Sequence, residues 1–359
     1  MAKTPHILIA GAGIGGLTAA LALLQKGFDV DIYEQAAELK EAGAGVQIAA
    51  NGTRVLQELG LGPELLRIGT ELDAKEMRMW NSGRTRNLVD LGKSSVDKYG
   101  APYYTLHRAD LHALLVDAVE RSKPGSIHLN CRAARFEQNA DSVTLRFENG
   151  TSASGDLLVG ADGVHSKIRQ GLFGPDKPKF TGCMAWRGLV DTRDLPATIT
   201  RSATMIWLGP TAHIVHYPVR RGEYLNFFAV VKRDDWLVES WNERGTREEC
   251  LNDFKGWHED ALEIVRRIEI PYKWALITRD PLPRWSEGRV TLMGDASHSM
   301  LPLLAQGANM AIEDAFVLAR CLEKHRDDLG AGLKSYEQAR IGRTTQMVNS
   351  SGEQANKIT

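Results

Sequence analysis

Residues 6–16, HILIAGAGIGG, constrain the fold of this chain more than any other stretch. The apolar run HILIA stops at glycine, as a central parallel strand does. Gly11-Ala12-Gly13-Ile14-Gly15-Gly16 then matches the pattern GxGxxG. Glycines at a strand-to-helix turn let the backbone approach a pyrophosphate, and the helix that follows offers it unpaired N–H groups. A helical pattern runs from Gly13 to about Lys26 and is closed by Gly27. DVDIYE, Asp29 to Glu34, reads as a second strand ending on an acid, which completes a β-α-β unit. Glu34 lies 18 residues after Gly16, where a carboxylate can accept from ribose hydroxyls. The unit is expected to bind a dinucleotide, the bland alternative being a tightly packed turn beside a surface glutamate. The acid disfavours a 2′-phosphate and does not separate NAD from FAD.

A chain of 359 residues, 43% apolar and 25% charged, has room for two packed layers or for one large domain with an inserted lobe. Its net charge of -1 and the lack of a dense Lys/Arg run give no footprint for nucleic acid or an anionic membrane surface. The uncharged stretch His6 to Leu24 is broken by glycines and lacks a basic n-region and a cleavage site, so it reads as strand, turn and helix. Cys131, Cys183, Cys250 and Cys321 lie far apart without a CxxC pair, which argues against a zinc site, a redox dithiol and a disulfide framework. A reducing cytoplasm is the expected setting, and a small molecule the expected partner.

Further along, CMAWRGLVD, ATMIWL, HIVHYPV and YLNFFAVVK are β-rich, with Arg220-Arg221-Gly222 as a hairpin turn between the last two. They predict an antiparallel sheet with one face free to cover a ligand. A helix is expected over Thr246 to Ile268, and the polar residues Asn349 to Thr359 are expected to fray. RVTLM, Arg289 to Met293, returns to a buried strand and meets a second glycine turn, Gly294-Asp295, then His298, Pro302 and Gln306-Gly307-Ala308-Asn309 opening a helix. DLLVGADG, Asp156 to Gly163, is a third strand and turn. Each of these two is unremarkable alone.

In this order the GxGxxG, DG and GD pieces resemble the class A flavoprotein monooxygenases, the para-hydroxybenzoate hydroxylase-like group, from Ile7 to about Arg343. YTLHRADL (Tyr104 to Leu111), Ala185-Trp186-Arg187-Gly188 and HIVHYP (His213 to Pro218) look like salicylate and 3-hydroxybenzoate hydroxylases, with 6-hydroxynicotinate monooxygenases as near relatives. The resemblance implies an α/β fold: a Rossmann-like FAD/NAD(P)-binding domain of the GR2 type from residues 1–73, 100–177 and 281–359, with a β-rich substrate domain from 74–99 and 178–280. It implies that Gly11, Gly13, Gly15 and Gly16 take the pyrophosphate of FAD, that Glu34 holds the adenosine ribose, and that Arg108 reaches the pyrophosphate or ribityl region. Asp295 would accept from a ribityl hydroxyl. The helix that opens at Gly307, Ala308 and Asn309 would aim its N–H groups at flavin N1 and the C2 carbonyl. Asp162 and Gly163 would serve FAD and the nicotinamide, Pro302 would lie near the reactive edge of the ring, and Gln47 would approach flavin or substrate. No second fingerprint of this kind is visible, so NADH or NADPH is expected to bind transiently in a cleft. Monomer and homodimer both stay open.

The same resemblance implies that NAD(P)H reduces FAD, O₂ adds at flavin C4a, and the hydroperoxide delivers an OH⁺ equivalent to an electron-rich ring. A phenol of pKa about 10 is ionised in roughly one molecule in a thousand at pH 7, so assisted deprotonation is worth about 4 kcal/mol. His213 and Tyr217, four apart on a predicted strand, share a face with Val215 while His216 points away; they are the candidate substrate pair. Trp186 and Trp207 could be core or walls of a ring pocket. The 6-hydroxynicotinate enzymes carry histidines matching Gln47 and Leu303, and MLPLLAQG looks more like salicylate hydroxylases. A carboxylated phenol is therefore the first choice of substrate, with a bare phenol or a pyridine open. No arginine stands out to hold the carboxylate. Two other readings stand: a flavoprotein that reduces FAD without hydroxylating, and a flavin-free binding protein of the kind the Rab GDP-dissociation inhibitors represent.

Overall fold

A computed structural model of the chain describes residues 4–39, 44–233 and 243–358. The apolar run His6–Ala10 is the middle of a five-stranded sheet ordered Val290–Leu292, Leu157–Gly160, His6–Ala10, Asp29–Tyr33 and Ile127–His128. Every pairing in it is parallel, which is why the three glycine turns of the sequence emerge at one end of one sheet. Ile7, Leu8 and Ile9 are fully buried there, as a strand covered on both faces requires. The helix Ile14–Gln25 follows, and Gly27, at φ +73°, takes the left-handed conformation that ends it.

A second sheet has seven strands, ordered Tyr272–Thr278, Lys179–Asp191, Tyr224–Lys232, Ala212–Val219, Ala203–Leu208, Ala74–Met79 and Thr85–Asp90. It is antiparallel except where Ala203–Leu208 runs alongside Ala74–Met79. Strand alternation gives it two unlike faces. On one, Trp186, Trp207, Ile214 and Phe227 pack against two helices, Arg247–Asp253 and Glu259–Arg266. On the other, Ala185, Val230 and Trp274 meet Leu301 and Leu303 from the turn after Gly294.

Two expectations change, and one open alternative is decided. The single helix over Thr246 to Ile268 is two helices, interrupted where Gly256 takes φ +83° and restarted by the His258 cap. Trp186 and Trp207 are core: the Trp186 indole donates to Asp253 at 2.7 Å and that of Trp207 to His216 at 3.1 Å, both on the helix-covered face. The tail does not fray. Its helix, Leu329–Ile358, is anchored where the buried Ser351 hydroxyl donates to the Leu301 carbonyl at 2.6 Å; Thr359 lies outside the described residues.

The turn at Gly294 is held from beneath by a buried carboxylate. Asp314, wholly buried, accepts from the Gly294 N–H at 3.0 Å, from the Arg340 guanidinium at 2.7 Å and from the His298 ring. Burial alone would raise the Asp314 pKa, but His298 and Arg340 hold it below the ordinary value. Burial would likewise push His298 down, but the Asp314 charge holds it above the ordinary histidine value. The His298 contribution to stability is therefore complete below its unfolded pKa of about 6.5 and lost as pH rises through its raised folded value. Asp314→Asn should cost about 3–5 kcal/mol in urea unfolding, because it leaves buried cations without their anion. Wild type should lose stability between pH 6 and pH 9, and His298→Gln should lose less of it over the same interval.

Candidate active site

The first glycine turn is built by close approach. A Cβ at Gly11, whose φ is +107°, would lie 2.4 Å from the Ala161 carbonyl oxygen, and one at Gly16 would lie 2.0 Å from the Gly11 oxygen. At Gly13 a Cβ would meet nothing within 4 Å. Gly11 and Gly16 thus seat the helix against the sheet, and Gly13 leaves its outer side clear for a ligand. A Cβ at Gly15 would lie 3.1 Å from Ala311 of the helix Gly307–Lys324, so this glycine lets the two helices pack closely. The helix Ile14–Gln25 has no side-chain cap at Gly13 and no acid in its first turn, so its first N–H groups can meet an anion. Glu34 sits across this turn, accepting from Ala12 N and Ala36 N at 2.8 Å each. The backbone fixes its carboxylate at the end of the second strand.

At the second turn Asp162 accepts from the Ser166 hydroxyl at 2.5 Å and from Lys167 N at 2.7 Å, while Gly163 turns at φ +76°. Burial pushes the Asp162 carboxyl above its ordinary value, against the pull of those hydrogen bonds. At the third turn Asp295 is exposed. Its Oδ1 would lie 3.9 Å from a Cβ at Gly307, which puts it at the mouth of the helix Gly307–Lys324. That helix lacks a side-chain cap and an acid in its first turn. Ala308 lies in this first turn, and Pro302 opens the short 3-10 turn before it. The Asn309 side chain is occupied internally: its amide donates to the carbonyls of Gln47 and Ala305 and its oxygen accepts from Ala49 N. Only its backbone is left for a cofactor. Arg108 is half-buried at the start of the helix Arg108–Ser122, its N–H donating to Ala44 O at 2.7 Å. Beside Asp295 runs a groove of about 270 Å³ whose lining includes Arg169, Lys177, Arg279 and His298.

His213 and Tyr217 share the face of the seven-stranded sheet opposite the two helices, as their spacing predicts, and His216 is fully buried on the helix-covered one. His213 pairs across the strands with Leu208 and Val230 and meets the Phe228 ring edge-on at 6.3 Å. Its Nδ1 is buried with no hydrogen-bond partner among the described residues. Burial lowers its pKa to about 4, so the ring is neutral at pH 7. Tyr217 lies opposite Asn226; burial drives its phenol well above the ordinary value, against hydrogen bonds to Gln47 and Asn226. Gln47 also accepts from the Tyr103 hydroxyl at 2.8 Å, and Gly45, which donates to Asn226 at 2.6 Å, has no space for a side chain over the Tyr217 ring. Four residues of strand separate His213 from Tyr217 by about 13 Å. The pair therefore stands at two ends of a row of side chains on this face, a slot defined by the strand register with Val215, Ile206 and Phe228 between, and does not converge on one atom.

Sequence reading missed Tyr103, Asn226 and Lys75, which complete the Tyr217 end. Lys75 stands beside Thr204 on the neighbouring strand, and its ammonium lies 4.8 Å above the Tyr103 ring. In AKEMRM charged residues occupy both faces of the strand, so polarity does not mark which of them faces the slot.

A family model described as FAD binding domain matches residues 4–351. The chain is 41% identical over 354 residues to a 3-amino-4-hydroxybenzoate 2-monooxygenase of Streptomyces platensis, covering 99% of this chain and 88% of that protein. It is 36% identical to a 3-hydroxybenzoate 6-hydroxylase of Polaromonas naphthalenivorans, covering 97% and 86%. Among solved structures, a salicylate hydroxylase substrate complex superposes with a TM-score of 0.82 at 27% identity, covering 99% of this chain and 89% of that one. With its three glycine turns on one parallel sheet, the chain belongs to the FAD-binding domain family, as an FAD-dependent aromatic hydroxylase of the 3-hydroxybenzoate, 6-hydroxynicotinate and 3-amino-4-hydroxybenzoate monooxygenase type.

Proposed function

We propose that the chain hydroxylates a ring bearing both a phenol and a carboxylate, a hydroxybenzoate such as salicylate or its amino-substituted relatives, using O₂ and NADH or NADPH. The observation that carries this reading is His213: a buried, neutral imidazole with an unpartnered nitrogen, at one end of an apolar slot. The relatives named above act on hydroxylated benzoates, which supports it.

FAD, when bound, supplies the redox and oxygen-activating chemistry. The turn shaped by Gly11, Gly13, Gly15 and Gly16 is proposed to hold it, with Glu34, Arg108, Asp162, Gly163, Asp295, Pro302 and the backbone of Gly307, Ala308 and Asn309, and with Gln47 at the border of the substrate. A neutral imidazole can accept the phenolic proton, and a phenolate formed beside it favours the protonated ring against desolvation. Tyr217 stays a neutral phenol and acts as a donor at the far end. Leu301 and Leu303 help to keep water from the sheet face. Residues 74–99 and 178–280 are proposed as the substrate domain and 1–73, 100–177 and 281–359 as the cofactor domain. The four unpaired cysteines fit a reducing compartment such as the cytoplasm, and among the described residues no helix is long and apolar enough to cross a membrane.

Purified protein should be yellow, and one of salicylate, 3-hydroxybenzoate, 3-amino-4-hydroxybenzoate or 6-hydroxynicotinate should stimulate NAD(P)H consumption and yield an oxygenated product by mass spectrometry. Peroxide release matching NAD(P)H loss would instead identify a non-hydroxylating oxidase, and a colourless protein a flavin-free scaffold. His213→Ala should lower hydroxylation by about 10²- to 10⁴-fold, the usual range for a positioned proton acceptor, with FAD retained. Because the folded His213 pKa is depressed to about 4, its basic form persists as pH falls, so the acid limb of kcat/KM should lie below pH 6. A limb near 6.5 would assign the proton elsewhere. Gly16→Ala should abolish flavin retention through its collision with the Gly11 carbonyl, whereas Gly13→Ala, with open space at the Cβ, should retain the fold and weaken only FAD binding.

A further inference from the structure

We propose that Lys75 is the residue that holds the substrate carboxylate, and that it orients the ring with its hydroxyl toward His213. This rests on the hydroxybenzoate reading above and names the recognition element that reading lacks.

The placement follows from strand register. Lys75 pairs with Thr204, and Ile206, two residues on from Thr204, pairs with Val215. Alternation therefore puts Lys75, Thr204, Ile206, Val215 and Tyr217 on one face, the face that carries His213. The neighbouring charged residues face away: Arg78 reaches Asp260 behind the sheet at 3.1 Å, and Glu76 pairs with Arg201 at 2.8 Å. Two strand spacings separate Lys75 from Tyr217 by about 10 Å, so the cation belongs to the Tyr217 end of the slot.

Lys75 is half-buried, yet among the described residues it has neither a carboxylate nor a hydrogen-bond partner. Its ammonium lies over the face of Tyr103, whose hydroxyl is spent on Gln47. Other cations of the same sheet are matched: Lys273 meets Glu249 at 2.9 Å and Lys179 meets Asp280 at 2.6 Å. Burial holds the Lys75 pKa below the ordinary lysine value, with no anion to offset it. An ammonium kept in such a place is an unfilled half of an ion pair, and the aromatic ring beneath it compensates only in part. The far end of the slot offers the neutral His213 and apolar Leu208 and Val230, which suit a hydroxyl and a ring edge and repel a carboxylate. The two ends thus differ in charge in the sense that a hydroxybenzoate with its hydroxyl meta or para to the carboxylate requires.

The test compares FAD-loaded wild type, Lys75→Met and Lys75→Arg by calorimetric binding of salicylate, 3-hydroxybenzoate and 3-amino-4-hydroxybenzoate, each beside its carboxamide. Losing a charge-assisted hydrogen bond should raise the Kd of the carboxylates by about tenfold or more in Lys75→Met. The carboxamides should change by no more than about twofold, and Lys75→Arg should recover most of the preference. Equal weakening of acid and amide, no change in either, or no binding of any carboxylate by wild type would overturn the assignment. Product analysis on the same samples separates the two claims: wild type that binds carboxylates through Lys75 yet forms no hydroxylated product refutes the proposed activity and leaves Lys75 as the anion site.

Discussion

Asp314 is a carboxylate with no exposure to water, and such a group stays charged only if the surrounding chain supplies donors. It receives three: the Gly294 N–H and the His298 ring from one turn, and the Arg340 guanidinium from the C-terminal helix. Glu313, beside it, binds Arg340 and Arg343 and accepts from Asn51 at 2.7 Å. The turn that presents Asp295, the helix that opens at Gly307 and the long C-terminal helix are tied together by this pair of acids. The C-terminal helix then reaches the turn again through Ser351 and Leu301, and Ala355 packs against Trp274 of the large sheet. The turn at Gly294 and the large sheet are held in register by charges that neither of them exposes.

A second constraint is the two-sidedness of that sheet. On the helix side Trp186, Trp207 and Phe227 of the sheet close a core with Phe254 and Trp257 from the helical layer. The other side mixes Tyr217, Phe228 and Trp274 with the polar His213 and Asn226, and Leu301 and Leu303 pack against part of it. The fold thus supplies a wall that is rigid from behind and chemically varied in front, the arrangement on which a site can be changed without loss of the scaffold.

The sequence displays most where local physics acts alone. HILIAGAGIGG, the acid at Glu34 and the turn at Gly294-Asp295 are readable because a buried parallel strand, a close backbone approach and a free helix terminus each demand particular residues. The shared face of His213 and Tyr217 is readable because strand alternation admits no alternative. What is not readable depends on partners distant in the chain. Helical periodicity runs through Gly256 unbroken, yet the helices on either side pack as separate rods. The polar end of the chain looks loose until Leu301 arrives to accept from Ser351. Trp186 and Trp207 differ from pocket residues only in which face they occupy, and that is settled by register with Phe227 and Ile214. Lys75 is hidden for the same reason, one charge among several in AKEMRM.

Electrostatics gives the slot a direction that its shape lacks. Desolvation acts on His213, Tyr217 and Lys75 alike, and in each it disfavours the charged form. For His213 and Tyr217 the neutral form is also the useful one, an acceptor and a donor that cost little to keep dry. For Lys75 the neutral form has no evident use, so the cation is held against a penalty that an arriving anion would remove. An aromatic ligand carrying one carboxylate and one hydroxyl relieves that penalty in a single orientation, because reversing it would leave the ammonium unmatched and set a carboxylate among Leu208, Val230 and Phe228. In the proposed pose, a hydroxyl meta or para to the carboxylate would face His213 once the carboxylate met Lys75. Binding energy at an end of the molecule that does not react is thereby spent on placing the end that does.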